Sequence, residues 1–243
     1  MEIIIYVAAV AAFAPTLILM YAALRKYTYP AVQQPFFSDP AFFGLFVVGL
    51  IAGTVMFLAY TFLNVYWTNI IYMALFAATQ CLAMVVIMNL KRFHGKSDSV
   101  FYGYGLGLGM GCTMAFGAIY YIGTISLSDE ESIIGIAECV QLFIIGLSYI
   151  LILSPIGTTI GEGIARLRPM EFAMQAIFVN VAFNLVLAAA YSNSGNDILF
   201  YACLVVALIV AAVYFYYIMY VKLSRVVRDV RKMEGKSRKN VPK

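Results

Sequence analysis

Apolar residues in this chain neither alternate with polar ones nor keep to one stripe of a helix. They continue for about 20 positions, break at a short polar segment and resume. Runs of that length match the roughly 20 residues with which a helix crosses a hydrocarbon core of about 30 Å. The pattern predicts seven spans, at about 3–24, 42–64, 69–90, 100–122, 146–166, 172–191 and 197–221. No ten-residue alternation of the barrel type occurs. The expected fold class is all-α, a polytopic transmembrane helix bundle. The least defined stretch runs from Ile133 to Ile145. It joins the fifth span without a polar break and reads as an interfacial segment, a re-entrant segment or the start of one long tilted helix. The first span lacks a basic n-region and a small-residue cleavage site, so it reads as a retained helix.

Composition agrees with the pattern. Of 243 residues, 63% are apolar and 12% charged, against about 45–50% and about 25% in a soluble domain; mean hydropathy is +0.90. Soluble-enzyme, nucleic-acid-binding and disordered classes are excluded, and the bilayer is the first partner. Seven spans leave room only for short loops and a tail, so the expected organisation is a transmembrane domain over 1–221 and a basic cytoplasmic tail over 222–243.

The placement of charge sets an orientation. Arg25 and Lys26 follow span one, Lys91, Arg92 and Lys96 follow span three, and Arg166 and Arg168 close span five; the other nine basic residues begin at Lys222. All sixteen fall on one side, whereas the alternate loops carry no Lys or Arg and one holds Asp129, Glu130 and Glu131. By the positive-inside rule the N-terminus is expected outside and the C-terminus in the cytoplasm, in a multi-pass protein of the cell membrane. The segment after Lys222 begins as a helical extension with Arg225, Arg228 and Lys232 on one face. It reads as an anchor on anionic lipid.

Span four contains two glycine rows, Gly103, Gly107 and Gly111 on one face and Gly105 with Gly109 on another. Gly157 and Gly161 share a face of span five. Rows of this kind permit close helix approach in lipid. Cys81, Cys112, Cys139 and Cys203 all lie in apolar runs without metal-ligand spacing and read as small buried hydrophobes.

Several segments together resemble the PrsW family of membrane-embedded proteases, within the wider group of glutamate- and histidine-dependent intramembrane peptidases. Ala14-Pro15, the apolar run after it, Arg25-Lys26, Tyr29 and Pro30 are similar to the family's opening segment and basic exit. The stretch from Asp98 through Tyr102, Gly103, Gly107, Gly109 and Met110 is similar, without a gap, to its DGIVYGxxxGLGF block. The likeness runs from about Ala14 to Asn184. The family's ionisable groups are absent from the corresponding positions. Its EExxK motif falls on Thr79, Gln80, Cys81, Leu82 and Ala83. The glutamate and asparagine after the glycine block fall on Met114 and Ala115. Its first histidine falls on Ser154 or Pro155, with Thr158 or Thr159 downstream, and its second on Asn180, while Asn184 is kept.

Hydrolysis of a peptide at such a site requires a metal-activated water or a carboxylate base. Neutral amides, hydroxyls and thioethers supply neither. The sole histidine, His94, lies in a loop. Glu138 and Glu162 are the carboxylates nearest the membrane interior: Glu162 is spaced to pair with Arg166, and Glu138 lies toward the outer surface. The resemblance implies a protease-like fold with no catalytic residues, no metal and no cofactor. Such a protein binds or scaffolds another membrane protein's transmembrane segment. An active peptidase recruiting Glu138 or Glu162, and a small-solute transporter, are the alternatives. Gln80, Asn180 and Asn184, mid-span amides, are expected to turn inward and either bond to one another or line a wet cavity, because an unpaired amide in hydrocarbon costs several kcal/mol.

Overall fold

The computed structural model describes residues 2–32, 35–62, 69–126 and 135–235. Its helices are α1 (Glu2–Leu24), α2 (Asp39–Phe62), α3 (Ile70–Met88), α4 (Ser99–Ser126), α5 (Ile136–Ala165), α6 (Pro169–Ser192), α7 (Asp197–Tyr216) and α8 (Leu223–Met233). A 3-10 turn, Lys91–Phe93, precedes α4, and a π-helical segment, Tyr217–Lys222, joins α7 to α8 without a break. Seven helices are long and apolar enough to cross a membrane. Their ends have local causes. The Asn69 side chain accepts the backbone N–H groups of Ile71 and Tyr72 at 3.1 and 3.3 Å, and Asn196 accepts that of Leu199 at 3.3 Å. These caps satisfy donors that have no partner in the first turn. Pro169, lacking an N–H, opens α6. At the end of α5, Leu167 takes φ 61°, and the Arg168 N–H reaches back to the Gly163 carbonyl at 2.8 Å. This closure usually employs glycine.

The stretch read as interfacial, re-entrant or helical is helical from Ile136 onward. The fifth span therefore begins ten residues earlier than expected at 146, because Glu138 and Gln141 fall in the first two turns of an otherwise apolar helix and do not break it; Ile133 and Ile134 lie outside the described residues, as do Asp129, Glu130 and Glu131. At 30 residues, α5 is about 45 Å long, longer than the hydrocarbon core. Pro155 lies within it and cannot donate to the Leu151 carbonyl one turn earlier.

Packing is centred on α4 and α5, which are buried over most of their spans, whereas α1 and α2 expose most of theirs. The glycine rows explain the arrangement. A Cβ on Gly103 would collide with the Gly157 carbonyl, one on Gly107 with the Leu153 carbonyl, and one on Gly161 with the Ser99 carbonyl; at Gly111 it would crowd the backbone of Tyr149 and Ile150. The second row, Gly105 and Gly109, lies against Phe42, Phe46 and Gly49 of α2. Thus α4 is pressed between two helices along two glycine faces. Gly49 and Gly53 of α2 answer the second row against Leu106, Met110 and Thr113. Helices α3, α6 and α7 pack on the other side of α5.

The helix ends that carry the basic residues meet at one end of the bundle. There the Gly95 N–H donates to the Ile164 carbonyl at 3.3 Å, the Tyr27 and Ser224 hydroxyls bond at 2.8 Å, and Ser97 Oγ donates to Glu234 at 2.8 Å. The guanidinium of Arg231 lies 4.7 Å from the Phe36 ring centroid. Helix α8 is amphipathic: Leu223, Val226, Val227 and Val230 are buried, while Arg225 and Lys232 are exposed. The chain beyond Lys222 therefore continues as a docked helix to Met233.

Candidate functional site

The mid-span amides of α3 and α6 meet. Gln80 lies about 12 Å along α3 from its basic end and is fully buried, as are Asn180 and Asn184. Asn180 Nδ2 donates to Gln80 Oε1 and to the Ala77 carbonyl, both at 2.9 Å. Asn184 Nδ2 donates in turn to the Asn180 carbonyl at 2.8 Å and to Asn180 Oδ1 at 3.2 Å. The i,i+4 spacing of the two asparagines puts them on one face of α6, and the period of α3 turns Gln80 toward them. Cys81 sits beside Asn180. The Tyr149 ring on α5 meets Phe183 edge to face at 5.7 Å, giving the amides an aromatic neighbour.

Gln80 Nε2 and Asn184 Oδ1 in this cluster, and Ser154 Oγ on α5, are buried and have no hydrogen-bond partner among the described residues. Ser154 is level with Gly107 and Gly111 on α4, since Leu153 and Ile150 lie against those glycines. One and a half turns further along α5, Thr159 shares a 3.0 Å hydrogen bond with the Tyr214 hydroxyl of α7. Thr158 caps its own helix carbonyl at Ser154 and touches Met219 sulfur at 3.6 Å.

Toward the basic end, polarity becomes charge. Glu162 is buried, with 4% exposure, and receives the Arg166 Nε at 2.8 Å and the Lys222 Nζ at 2.8 Å, one on each oxygen. Arg166 also lies 3.6 Å from Asp229 of α8, and the Lys222 ammonium lies 5.5 Å from the Phe172 ring centroid. The Arg166 pair follows from i,i+4 spacing. Lys222 was not legible as its partner, because the π-helical segment adds a residue to the turn and sets the Lys222 side chain toward α5.

The remaining expected positions disperse. Thr79 faces outward and bonds its own helix at the Leu75 carbonyl, 2.8 Å; Leu82 is exposed and Ala83 half-buried. Met114 and Ala115 are buried in the core. Ala115 faces the position of Gly146, about 12 Å along α5 from Ser154. Pro155 serves α5 as an interior proline and brings no side-chain polar group. Glu138 is exposed in the first turn of α5, at the end opposite the basic one. His94, in the loop before α4, contacts Asn89 at 3.0 Å. The four cysteines are free, but Cys139 is exposed and Cys203 half-buried, not buried as expected; both lie on outer faces of their helices.

Among the described residues no group of three or more His, Cys, Asp or Glu side chains is placed to hold a metal ion. The cluster itself offers only amides, hydroxyls and a thiol. Such groups donate and accept hydrogen bonds but do not act as a base near neutral pH. In comparisons with known proteins, no family model matches this chain, no curated protein matches it, and no solved structure matches it.

Proposed function

We propose that this multi-pass membrane protein acts by binding, as a non-catalytic relative of PrsW-type proteases that receives a transmembrane segment of another membrane protein. The observation that carries the reading is the surplus of hydrogen-bonding capacity at Gln80, Asn184 and Ser154 in an otherwise apolar interior. A cluster serving only to hold helices together would consume its own donors and acceptors, since each buried unsatisfied group costs about 1–3 kcal/mol. These atoms suit the backbone or a polar side chain of an incoming helix, whose position would be selected by hydrogen bonds.

The resemblance supplies the second support: Gln80 and Asn180 are the positions where a related protease would carry a glutamate and a histidine, and here they bond to each other. The basic end is assigned to the cytoplasm and the N-terminus to the outside by the positive-inside rule. The experiment places the purified protein in lipid nanodiscs with fluorescent transmembrane peptides that carry or lack one mid-span polar residue. Polar peptides are expected to bind and stay intact, and binding is expected to fall at least tenfold when Gln80, Asn180 and Asn184 are all changed to Leu. Chelator-sensitive cleavage, or equal binding of both peptide types, overturns the reading.

An active peptidase recruiting Glu138 or Glu162 draws less support. The first is exposed at the opposite end of α5, and both oxygens of the second are engaged by cations. Cleavage abolished by Glu138→Gln with Glu162→Gln would favour it.

A further inference from the structure

At the basic end a groove of about 420 Å³ runs between the start of α2 and the 3-10 turn. Its apolar wall is a stripe of α2, Pro40, Gly44 and Val48, spaced i, i+4, i+8 and so extending about 12 Å along the helix. Its polar mouth is formed by Arg92, Lys96 and Asp98, with Phe93 and Tyr102 behind.

Two features separate this groove from ordinary surface. The first concerns Gly44. The other glycines of α2, Gly49 and Gly53, touch the α4 backbone, but a Cβ on Gly44 would meet nothing within 4 Å. Its absence of a side chain serves no helix packing and leaves the groove open. The second is charge. Arg92 and Lys96 are exposed and form no ion pair among the described residues. The Arg92 guanidinium is held 4.5 Å from the Phe93 ring centroid, a cation–π contact that restricts it. Asp98 is engaged by Ser97 Oγ at 3.4 Å, and the Tyr102 hydroxyl accepts the Ser38 N–H at 3.2 Å. Two cations facing one carboxylate leave a net positive mouth above an apolar gutter that descends into the membrane span.

We propose that this groove binds one anionic phospholipid, its phosphate between Arg92 and Lys96 and an acyl chain laid along the Gly44 stripe of α2. The amphipathic order matches a lipid and not a free anion, because the phosphate and the chain are addressed by adjoining surfaces of opposite character. A volume of this size is in the range of ligand pockets, and basic pockets between spans on the cytoplasmic side are a recurrent way of holding acidic headgroups. The site is separate from the interior amides, so it stands or falls independently of the peptide-binding reading.

The test uses the full-length purified protein in detergent, titrated with phosphatidylglycerol or with phosphatidylcholine of identical chains, and followed by native mass spectrometry and thermal melting. One phosphatidylglycerol is expected to be retained and to raise the melting temperature, with phosphatidylcholine bound at least tenfold more weakly. Arg92→Gln with Lys96→Gln is expected to abolish that difference. Gly44→Leu, which fills the gutter without touching charge, is expected to weaken phosphatidylglycerol binding by a similar factor, while its melting temperature without lipid stays at the wild-type value. Arg225→Gln with Lys232→Gln, on the exposed face of α8, is expected to leave retention unchanged. Wild-type affinity in Gly44→Leu overturns the proposal, as does an equal loss in the α8 variant or full stabilisation by inorganic phosphate alone.

Discussion

Asn180 donates both amide protons, one to Gln80 Oε1 and one to the Ala77 carbonyl; the carbonyl keeps its own helical bond, so truncating Asn180 strands the Gln80 oxygen in the buried interior. Asn180→Ala is expected to destabilise the protein by about 1–3 kcal/mol. Gln80→Leu combined with Asn180→Leu removes donor and acceptor together and is expected to cost less than the two single changes summed. Denaturation of the four proteins of this cycle in mixed micelles checks the coupling, and strict additivity would show that the pair does not interact. Glu162 presents a different case. It is nearly enclosed, with a cation on each oxygen, and Glu162→Gln removes the carboxylate that Lys222 pairs with and leaves Arg166 with Asp229 alone. The expected loss is roughly 3 kcal/mol, measured by the same denaturation, and Lys222→Met together with Glu162→Met should recover much of it.

At the scale of elements, glycine has opposite meanings at two positions of like composition. On α4, a methyl group at Gly107 would strike the Leu153 carbonyl and the Gly157 backbone. Gly107→Ala is therefore expected to lose about 1–3 kcal/mol through overpacking, despite the better helix propensity of alanine. On α2, Gly44→Ala adds a methyl to open space and is expected to stay within about 0.5 kcal/mol of wild type. Melting temperatures of the two variants in one detergent decide the sign. If both are neutral, the α4–α5 seam is not the packing centre of the bundle. The α4 glycine rows were readable from period alone, because four-residue spacing fixes a helix face. The Gly49 and Gly53 pair that answers them on α2 shows the same four-residue spacing in the sequence. The π-helical segment at Tyr217–Lys222 left no sequence signal, since its extra residue is demanded by what α7 and α8 dock against.

For the whole molecule, the contacts among Tyr27, Gly95, Ser97, Ile164, Ser224 and Glu234 gather the described basic loops at one end. In a Cys139→Ser background, Ser194→Cys is expected to react with a membrane-impermeant maleimide in intact cells, and Lys96→Cys only after permeabilisation. The reverse pattern would invert the orientation. Docking of α8 has its own consequence. Val227→Asp places a charge at a buried position and is expected to release α8, read as faster proteolysis after Arg228 or Arg231 with the membrane-embedded part intact.

The sequence by itself determined the fold class, the seven spans, the glycine faces and the inward turn of Gln80, Asn180 and Asn184. Those follow from one-dimensional facts: the length of an apolar run, the period of a helix and the cost of a polar group in hydrocarbon. Only the tertiary structure decided that the mid-span amides pair across α3 and α6, that Met114 and Ala115 lie in a different part of the core, that Lys222 shares Glu162 with Arg166, and that α8 docks. Each depends on the rotation and axial offset of one helix against another. Those offsets are set by close backbone contact along α4 and α5, which the order of residues in a single span does not contain. Low charge marks the bilayer in the sequence. The arrangement of the few polar groups within it belongs to the packed bundle.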